Sequence, residues 1–297
     1  MVKSIKHLRT TVQAIWTFLT NCYAVGFAEG KIYTGPLKHL CFPGLNCYSC
    51  PGAMAACPIG ALQAVIGSYK FSISLYVGGF FMIIGALMGR FVCGWLCPFG
   101  LIQDLIYKIP FVRKINRFPG DKTLRLLKYL ILLVFVIIMP LFVVDIVGQG
   151  APAFCKYICP SGTLMGGIPL VLTNPGLRAT IGFLFRWKMA ILLLTVFLSI
   201  MIYRPFCKYI CPLGATYALF NRFSLVQLHV DTAHCVSCGK CSSTCKMGVN
   251  PVQTPNSGEC IRCGDCTKSC PTGALTLGVR LKKDIAPAKS SNPSKSI

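Results

Sequence analysis

At 297 residues, with 54% hydrophobic and 13% charged side chains and a mean hydropathy of +0.62, the chain is too apolar for an ordinary soluble domain and reads as a membrane protein. Its formal net charge of +22 is carried with only 8 acidic residues, so general acid–base catalysis has little to work with. The 19 cysteines suggest a disulfide scaffold only in a short secreted chain; their spacing here favours metal, whose thiolates offset part of the basic excess.

The chain opens with the basic decapeptide MVKSIKHLRT and an apolar run at about 12–27 that no convincing cleavage site follows. It is read as a first transmembrane helix. Three clearer runs follow, at about 71–88, 129–147 and 187–203, each long enough for a hydrocarbon layer of about 30 Å. Four crossings place both ends of the chain on one side. Lys3, Lys6 and Arg9 precede the first, and Lys108, Arg113, Lys114, Arg117, Lys122, Arg125 and Lys128 lie between the second and third. The other two loops are poorer, with Lys31, Lys38 and Lys70 in one and Lys156 and Arg178 in the other. The positive-inside rule then makes both termini and the middle loop cytoplasmic, with Arg186 and Lys188 snorkelling at the outer side. This distribution argues for membrane topology and against nucleic acid as the partner of the basic excess.

Three domains are expected: a transmembrane domain over 1–225, a small α+β ferredoxin-like domain over 226–281, and a basic flexible tail over 282–297. In the second domain CVSCGKCSSTC and CIRCGDCTKSCP are each Cys-x2-Cys-x2-Cys-x3-Cys, the ligand run of a two-cluster bacterial ferredoxin. The fourth Cys of each run crosses to the other cluster. The expected sets are Cys235, Cys238, Cys241 and Cys270 for one [4Fe-4S] cluster, and Cys260, Cys263, Cys266 and Cys245 for the other. Two complete four-Cys runs at identical spacing exceed what structural zinc or disulfides need.

The transmembrane domain carries Cys-x3-Cys-Pro three times, at Cys93 and Cys97, Cys155 and Cys159, and Cys207 and Cys211, with an altered copy ending at Cys57 and Pro58. All four continue Pro-x-Gly, so each can place thiolates at the mouth of a short helix whose first turn tolerates proline. The copies flank the second and fourth crossings alike, giving two pseudo-repeated halves with short re-entrant or interfacial helices. Topology then joins Cys93 and Cys97 to Cys207 and Cys211 on the cytoplasmic side. Cys155 and Cys159 join Cys50 and Cys57 on the outer side, with Cys47 as a close substitute for Cys50. Alternatively Cys41, Cys47, Cys50 and Cys57 hold a whole cluster themselves, or Cys41 and Cys47 form a disulfide. Cys22 reads as a small buried hydrophobe.

The Cys-x3-Cys-Pro motifs followed by the two-cluster segment resemble the polyferredoxin-type membrane proteins of the NapH and NosR group, which serve electron transfer to periplasmic reductases. The likeness covers nearly the whole chain. It implies [4Fe-4S] clusters, a quinone- or flavin-linked partner such as a subunit bearing FMN, and a larger complex in a prokaryotic cytoplasmic membrane. The extra cysteines of the first outer loop and the third complete motif depart from that pattern. Two clusters in the ferredoxin domain and two more in the membrane domain make a path across a gap too wide for one tunnelling step. The leading expectation is a transmembrane electron-transfer subunit between a cytoplasmic redox partner and a flavin- or haem-bearing protein outside. A second is a quinol dehydrogenase with electron transfer on one side, for which Asp145 and His39 are proton-handling candidates. A third is an assembly or sensory protein with structural clusters.

Overall fold

The structure is a computed structural model that describes residues 2–68, 74–110, 114–115, 118–144 and 149–279. The basic tail, Asp145, Lys70, Arg113 and Arg117 lie outside them. Among the described residues, two helices are long and apolar enough to cross a membrane, Asp121–Phe142 and Phe183–Met201. They overlap the runs expected at 129–147, whose last residues lie outside the described ones, and at 187–203.

The other two expected crossings take a different form. Helix Val2–Thr20 has the length but not the apolarity of a span, and it stops where polar side chains turn back on it. Thr20 Oγ1 donates to Trp16 O at 2.9 Å and the Asn21 amide donates to Thr17 O at 2.9 Å, saturating the last carbonyls. Helix Tyr76–Met88 is apolar, but its 13 residues extend only about 20 Å at 1.5 Å per residue.

Each Cys-Pro pair starts a helix: Pro58–Gly67, Pro98–Tyr107, a helical stretch over 160–173, and Pro212–Phe220. The cysteine before each proline is extended, with φ between −64° and −79°, and proline takes the first helical position, where its missing N–H goes unmissed. In the three complete motifs a short helix precedes that start: Phe91–Trp95, Ala153–Tyr157 and Pro205–Tyr209. The altered motif instead ends an irregular loop over 41–57, closed by a parallel bridge between Cys41 and Ala56. This loop reaches far inward: a side-chain carbon on Gly44 would stand 3.1 Å from Pro98 Cδ and 3.2 Å from Leu96 O.

The ferredoxin-like unit pairs strands Val226–Val230 and Leu275–Val279 antiparallel, Val226 opposite Val279. Between them, two short helices, Lys240–Thr244 and Asp265–Ser269, each carry the third cysteine of a run, and each starts after a left-handed glycine, Gly239 or Gly264. Ser237 and Arg262, between the first and second cysteines of the two runs, are left-handed as well, at φ 49° and 51°. Such turns aim successive backbone N–H groups at one point, a geometry suited to an anion.

This unit is seated on the membrane half through buried polar contacts. Arg262, 2% exposed, donates to Met88 O at 2.9 Å and Asn221 O at 2.6 Å, while Trp95 Nε1 donates to Arg262 O at 3.0 Å. Glu259 accepts from Arg90 at 3.0 Å and Lys128 at 2.5 Å. Burial pushes the Glu259 carboxyl up, but these two cations outweigh it and hold it below the ordinary glutamate value. Met247, Val249 and Ile261 join the same core as Cys93 and Cys211. Replacing Glu259 by Leu would leave two buried cations facing each other. We expect the seating to weaken by about 3–5 kcal/mol, visible as faster amide exchange over 226–279; unchanged exchange would show that the ion pairs do not hold the unit.

Candidate iron–sulfur sites

The cysteines of the ferredoxin-like unit line two cavities. One is bounded by Cys235, Cys238, Cys241 and Cys270 with Val236, Gly239 and Thr272, and the other by Cys245, Cys260, Cys263 and Cys266 with Met247 and Ile261. In both, the cysteine that ends one run lines the cavity of the other, because the two short helices pack side by side and throw their C-terminal cysteines across. Cys238 and Val236 of the first set are exposed. The second set faces the membrane half, where Ile261 O lies so close to Gly94 that any side chain there would overlap it. Cys93 and Cys260 are thus direct chain neighbours of two residues in contact.

In the membrane half, Cys93, Cys97, Cys207 and Cys211 are all buried and lie within electrostatic reach of one another. Gly100 N donates to Cys97 Sγ and Gly214 N to Cys211 Sγ, each at 3.4 Å, as expected where sulfur sits at a helix N-terminus. Leu45 N also bonds to Cys97. Two guanidiniums cross the site. Arg90 donates to Cys207 O at 3.1 Å, and Arg204 donates to Cys93 O and to Asp104 at 2.7 Å. The Pro-x-Gly signature leaves room for them, since a side-chain carbon on Gly100 would meet Arg204 Nη1 at 3.0 Å.

The second membrane quartet comprises Cys57, Cys155, Cys159 and Cys47. A carbon on Gly162 would lie 3.6 Å from Cys47 Sγ and 4.0 Å from Cys159 Sγ, and one on Gly60 would lie 4.0 Å from Cys155 Sγ and 3.9 Å from Cys57 Cβ. Cys47 lies within electrostatic reach of the other three. Cys50 is next to Cys47, but its Sγ faces Asn21 Oδ1 at 3.6 Å. Cys41 is buried in the bridge to Ala56, no disulfide joins it to Cys47 or links any of the 19 cysteines, and Cys22 is exposed beside Met54. His39 is exposed.

Charge decides what these quartets can hold. Around the inner quartet and the Cys260 set, the buried or nearly buried cations are Arg9, Arg90, Arg125, Lys128, Arg204, Lys208 and Arg262. Three carboxylates answer them: Asp104 binds Arg9 at 2.8 Å and Arg204, Asp121 binds Arg125 and Lys208, and Glu259 binds Arg90 and Lys128. Asp265, beside Cys263, is balanced by Lys246 at 3.7 Å, so four positive charges remain over. Burial pulls the Arg262 guanidinium down to about 10, with only Cys260 opposing it. An oxidised cubane with four thiolates carries roughly two negative charges, the amount by which one such group in each quartet would neutralise this layer. Zinc on four thiolates carries the same charge, but the crossed double run is an iron–sulfur arrangement. At the other membrane quartet, Lys38 and Lys188 are the cations near Cys47, matching one cubane. Lys188 is turned inward, donating to Cys155 O at 3.2 Å, and Lys38 is buried, donating to Ala53 O at 2.8 Å.

Two polar residues escaped the reading of the sequence. Gln63 and Gln103, fully buried, each span the two halves of a quartet. Gln103 Nε2 donates to Cys207 Sγ at 3.3 Å while its Oε1 accepts from Phe206 N at 3.3 Å; Gln63 Nε2 donates to Cys155 Sγ at 3.2 Å and its Oε1 accepts from Phe154 N at 2.9 Å. The available signal was their spacing: each stands six residues after a Cys-Pro cysteine, in CPIGALQ and CPFGLIQ.

Comparison with known proteins agrees with this chemistry. A 4Fe-4S binding domain family matches residues 72–119, 128–172 and 186–229, each containing one complete Cys-x3-Cys-Pro motif, and a second 4Fe-4S binding domain family matches 254–276. An uncharacterized protein of Methanocaldococcus jannaschii, MJ0750, is 30% identical over 211 residues, 68% of this chain and 77% of that protein. The methylamine utilization ferredoxin-type protein MauN of Paracoccus denitrificans is 28% identical over 196 residues, 65% of this chain and 57% of MauN. The regulatory protein NosR of Stutzerimonas stutzeri is 30% identical over 170 residues, 54% of this chain and 20% of NosR. No solved structure matches the chain.

The glutamines yield a test of the membrane quartets. A hydrogen bond to sulfur favours the more negative, reduced state of an iron–sulfur site. Gln103→Leu is expected to lower the reduction potential at the inner quartet and leave that of the Cys47 quartet in place, with Gln63→Leu doing the reverse. Redox-titrated EPR checks this, and potentials unmoved in both variants would show that the amides only pack.

Proposed function

Because the chain belongs to the NapH and NosR group of ferredoxin-type 4Fe-4S electron-transport proteins, we propose that it is a transmembrane electron-transfer subunit with four [4Fe-4S] sites in series. The ligands are the two crossed ferredoxin sets, the inner quartet Cys93, Cys97, Cys207 and Cys211, and the outer quartet Cys47, Cys57, Cys155 and Cys159. Each bound cluster supplies storage for one electron.

Continuity carries this reading. Cys241 and Cys270 of the Cys235 set share a small core with Cys266 of the Cys260 set; the Cys260 set meets the inner quartet where Ile261 packs on Gly94; and Leu45, two residues from Cys47, bonds to Cys97. No neighbouring pair of sites is separated by more than a packed contact or a short length of chain. The residues around them hold and insulate. Gln63 and Gln103 orient sulfurs, Arg90 and Arg204 neutralise charge without offering a proton, and the apolar core of Phe99, Phe154, Phe206 and Leu213 excludes water.

The sidedness rests on the distribution of Lys and Arg. Both termini and the ferredoxin unit are cytoplasmic, the Cys47 quartet serves the opposite face of a prokaryotic cytoplasmic membrane, and crossings at 12–27 and 71–88 complete four. Helix N-termini beside the cysteines favour anionic sites at depth, and irregular backbone there is tolerated because it is buried in protein. The partners are redox subunits, with a soluble donor or acceptor at Cys238 and Val236 and a flavin- or haem-bearing protein on the far side.

Iron and sulfide analysis of the purified chain tests the count: about sixteen irons per chain are expected for four cubanes, whereas about eight would leave the membrane quartets without clusters. Single variants test the ligands. Cys47→Ser is expected to lose about four irons and one EPR signal while Cys50→Ser keeps both; the opposite pattern would overturn the assignment of Cys47.

A further inference from the structure

Helix Pro212–Phe220 begins at the inner quartet with Cys211 and packs against helix Pro58–Gly67, which begins at the outer quartet with Cys57. Tyr217 lies on it, fully buried, its ring 5.9 Å from that of Phe81. Its hydroxyl has no hydrogen-bond partner among the described residues. An unpaired hydroxyl in an apolar core is costly, and phenylalanine would fill the same space without that cost. The hydroxyl therefore calls for an acceptor that the side chains do not provide.

Two further observations identify the acceptor. Tyr217 is six residues after Cys211, the same offset at which Gln63 follows Cys57 and Gln103 follows Cys97, and both glutamines aim a donor at sulfur. It also shares one core with Cys57, Cys93, Cys97, Cys159 and Cys211, and the charged groups that influence it are Cys93 first, then Cys57, Cys97 and Cys41. Cysteines of the inner quartet and Cys57 of the outer one thus lie within electrostatic reach of the same buried ring.

We propose that Tyr217 donates a hydrogen bond to a sulfur of the cluster held by Cys93, Cys97, Cys207 and Cys211, and that its ring fills the space between this site and the outer one. The inference rests on the reading that both membrane quartets hold clusters. The phenol keeps its proton throughout and is neither oxidised nor reduced. Its hydrogen bond stabilises the reduced state of the inner site, and its ring keeps water out of the gap so that electrons cross a packed medium.

Redox-titrated EPR of the full chain in membranes tests this with Tyr217→Phe, which removes the donor and keeps the ring. The iron content should stay at the wild-type value. The inner site's reduction equilibrium should fall about tenfold, or about 59 mV for one electron, with the outer site unmoved. An inner site that is present with an unchanged midpoint, or a shift confined to the outer signal, overturns the proposal and leaves the proposed function standing. A wild-type chain without an inner signal overturns both. Should Tyr217→Phe fail to assemble, the wild-type chain grown on fluorotyrosine decides: a fluorine hyperfine coupling on the reduced inner signal supports the contact, and its absence refutes it.

Discussion

Everything in this protein depends on burying anionic sulfur sites in a medium that cannot solvate them. An ion moved from water into an apolar interior carries a penalty of several kcal/mol even after relaxation, unless an opposite charge goes with it. The chain meets that constraint with its basic excess. Arg90, Arg204, Lys128 and Lys208 are fully buried, and Asp104, Asp121 and Glu259 each tie two cations together without cancelling them. The leftover positive charge sits beside the cysteines, so what looks like an unbalanced sequence becomes a balanced interior once the thiolate clusters are counted.

The same constraint explains the local chemistry of the Cys-Pro motifs. Proline fixes the start of a helix immediately after the cysteine, which turns that helix's unpaired N–H groups and positive end toward sulfur. Glycine two residues after the proline removes a side chain that at Gly100 would press on the arginine crossing the inner site, while at Gly60 and Gly162 a side-chain carbon would only touch the outer cysteines. A short polar-free segment can therefore serve an anionic site without an acidic or basic residue of its own.

Seating of the ferredoxin-like unit follows from the charges too. Glu259 and Arg262 lie among its cysteines yet bond to residues of the membrane half, and Trp95 beside Cys93 bonds back. These buried contacts fix the unit to the membrane half. A diffusing carrier would have to expose Arg262 and the two cations bound to Glu259, Arg90 and Lys128, each time it left.

Much of this was readable from residue order alone. Iron–sulfur chemistry, electron transport and the family follow from cysteine spacing, because a cubane demands four thiolates at fixed separations, and the helix starts follow from Cys-Pro because proline acts within one turn. The long apolar runs that became Asp121–Phe142 and Phe183–Met201 were equally plain. The run at 12–27 was less plain, because its helix ends on local hydrogen bonds at Thr20 and Asn21 that an average over a window does not see. What only the tertiary structure decided is which groups from distant segments meet. It turned Cys47 toward Cys159 and left Cys50 against Asn21, brought Gln63 and Gln103 to sulfurs about ninety and a hundred residues away, and buried Tyr217 in one core with cysteines of both quartets. The physical reason is range: spacing encodes contacts made within a turn or a loop, whereas pairing across the fold depends on packing that no local pattern records.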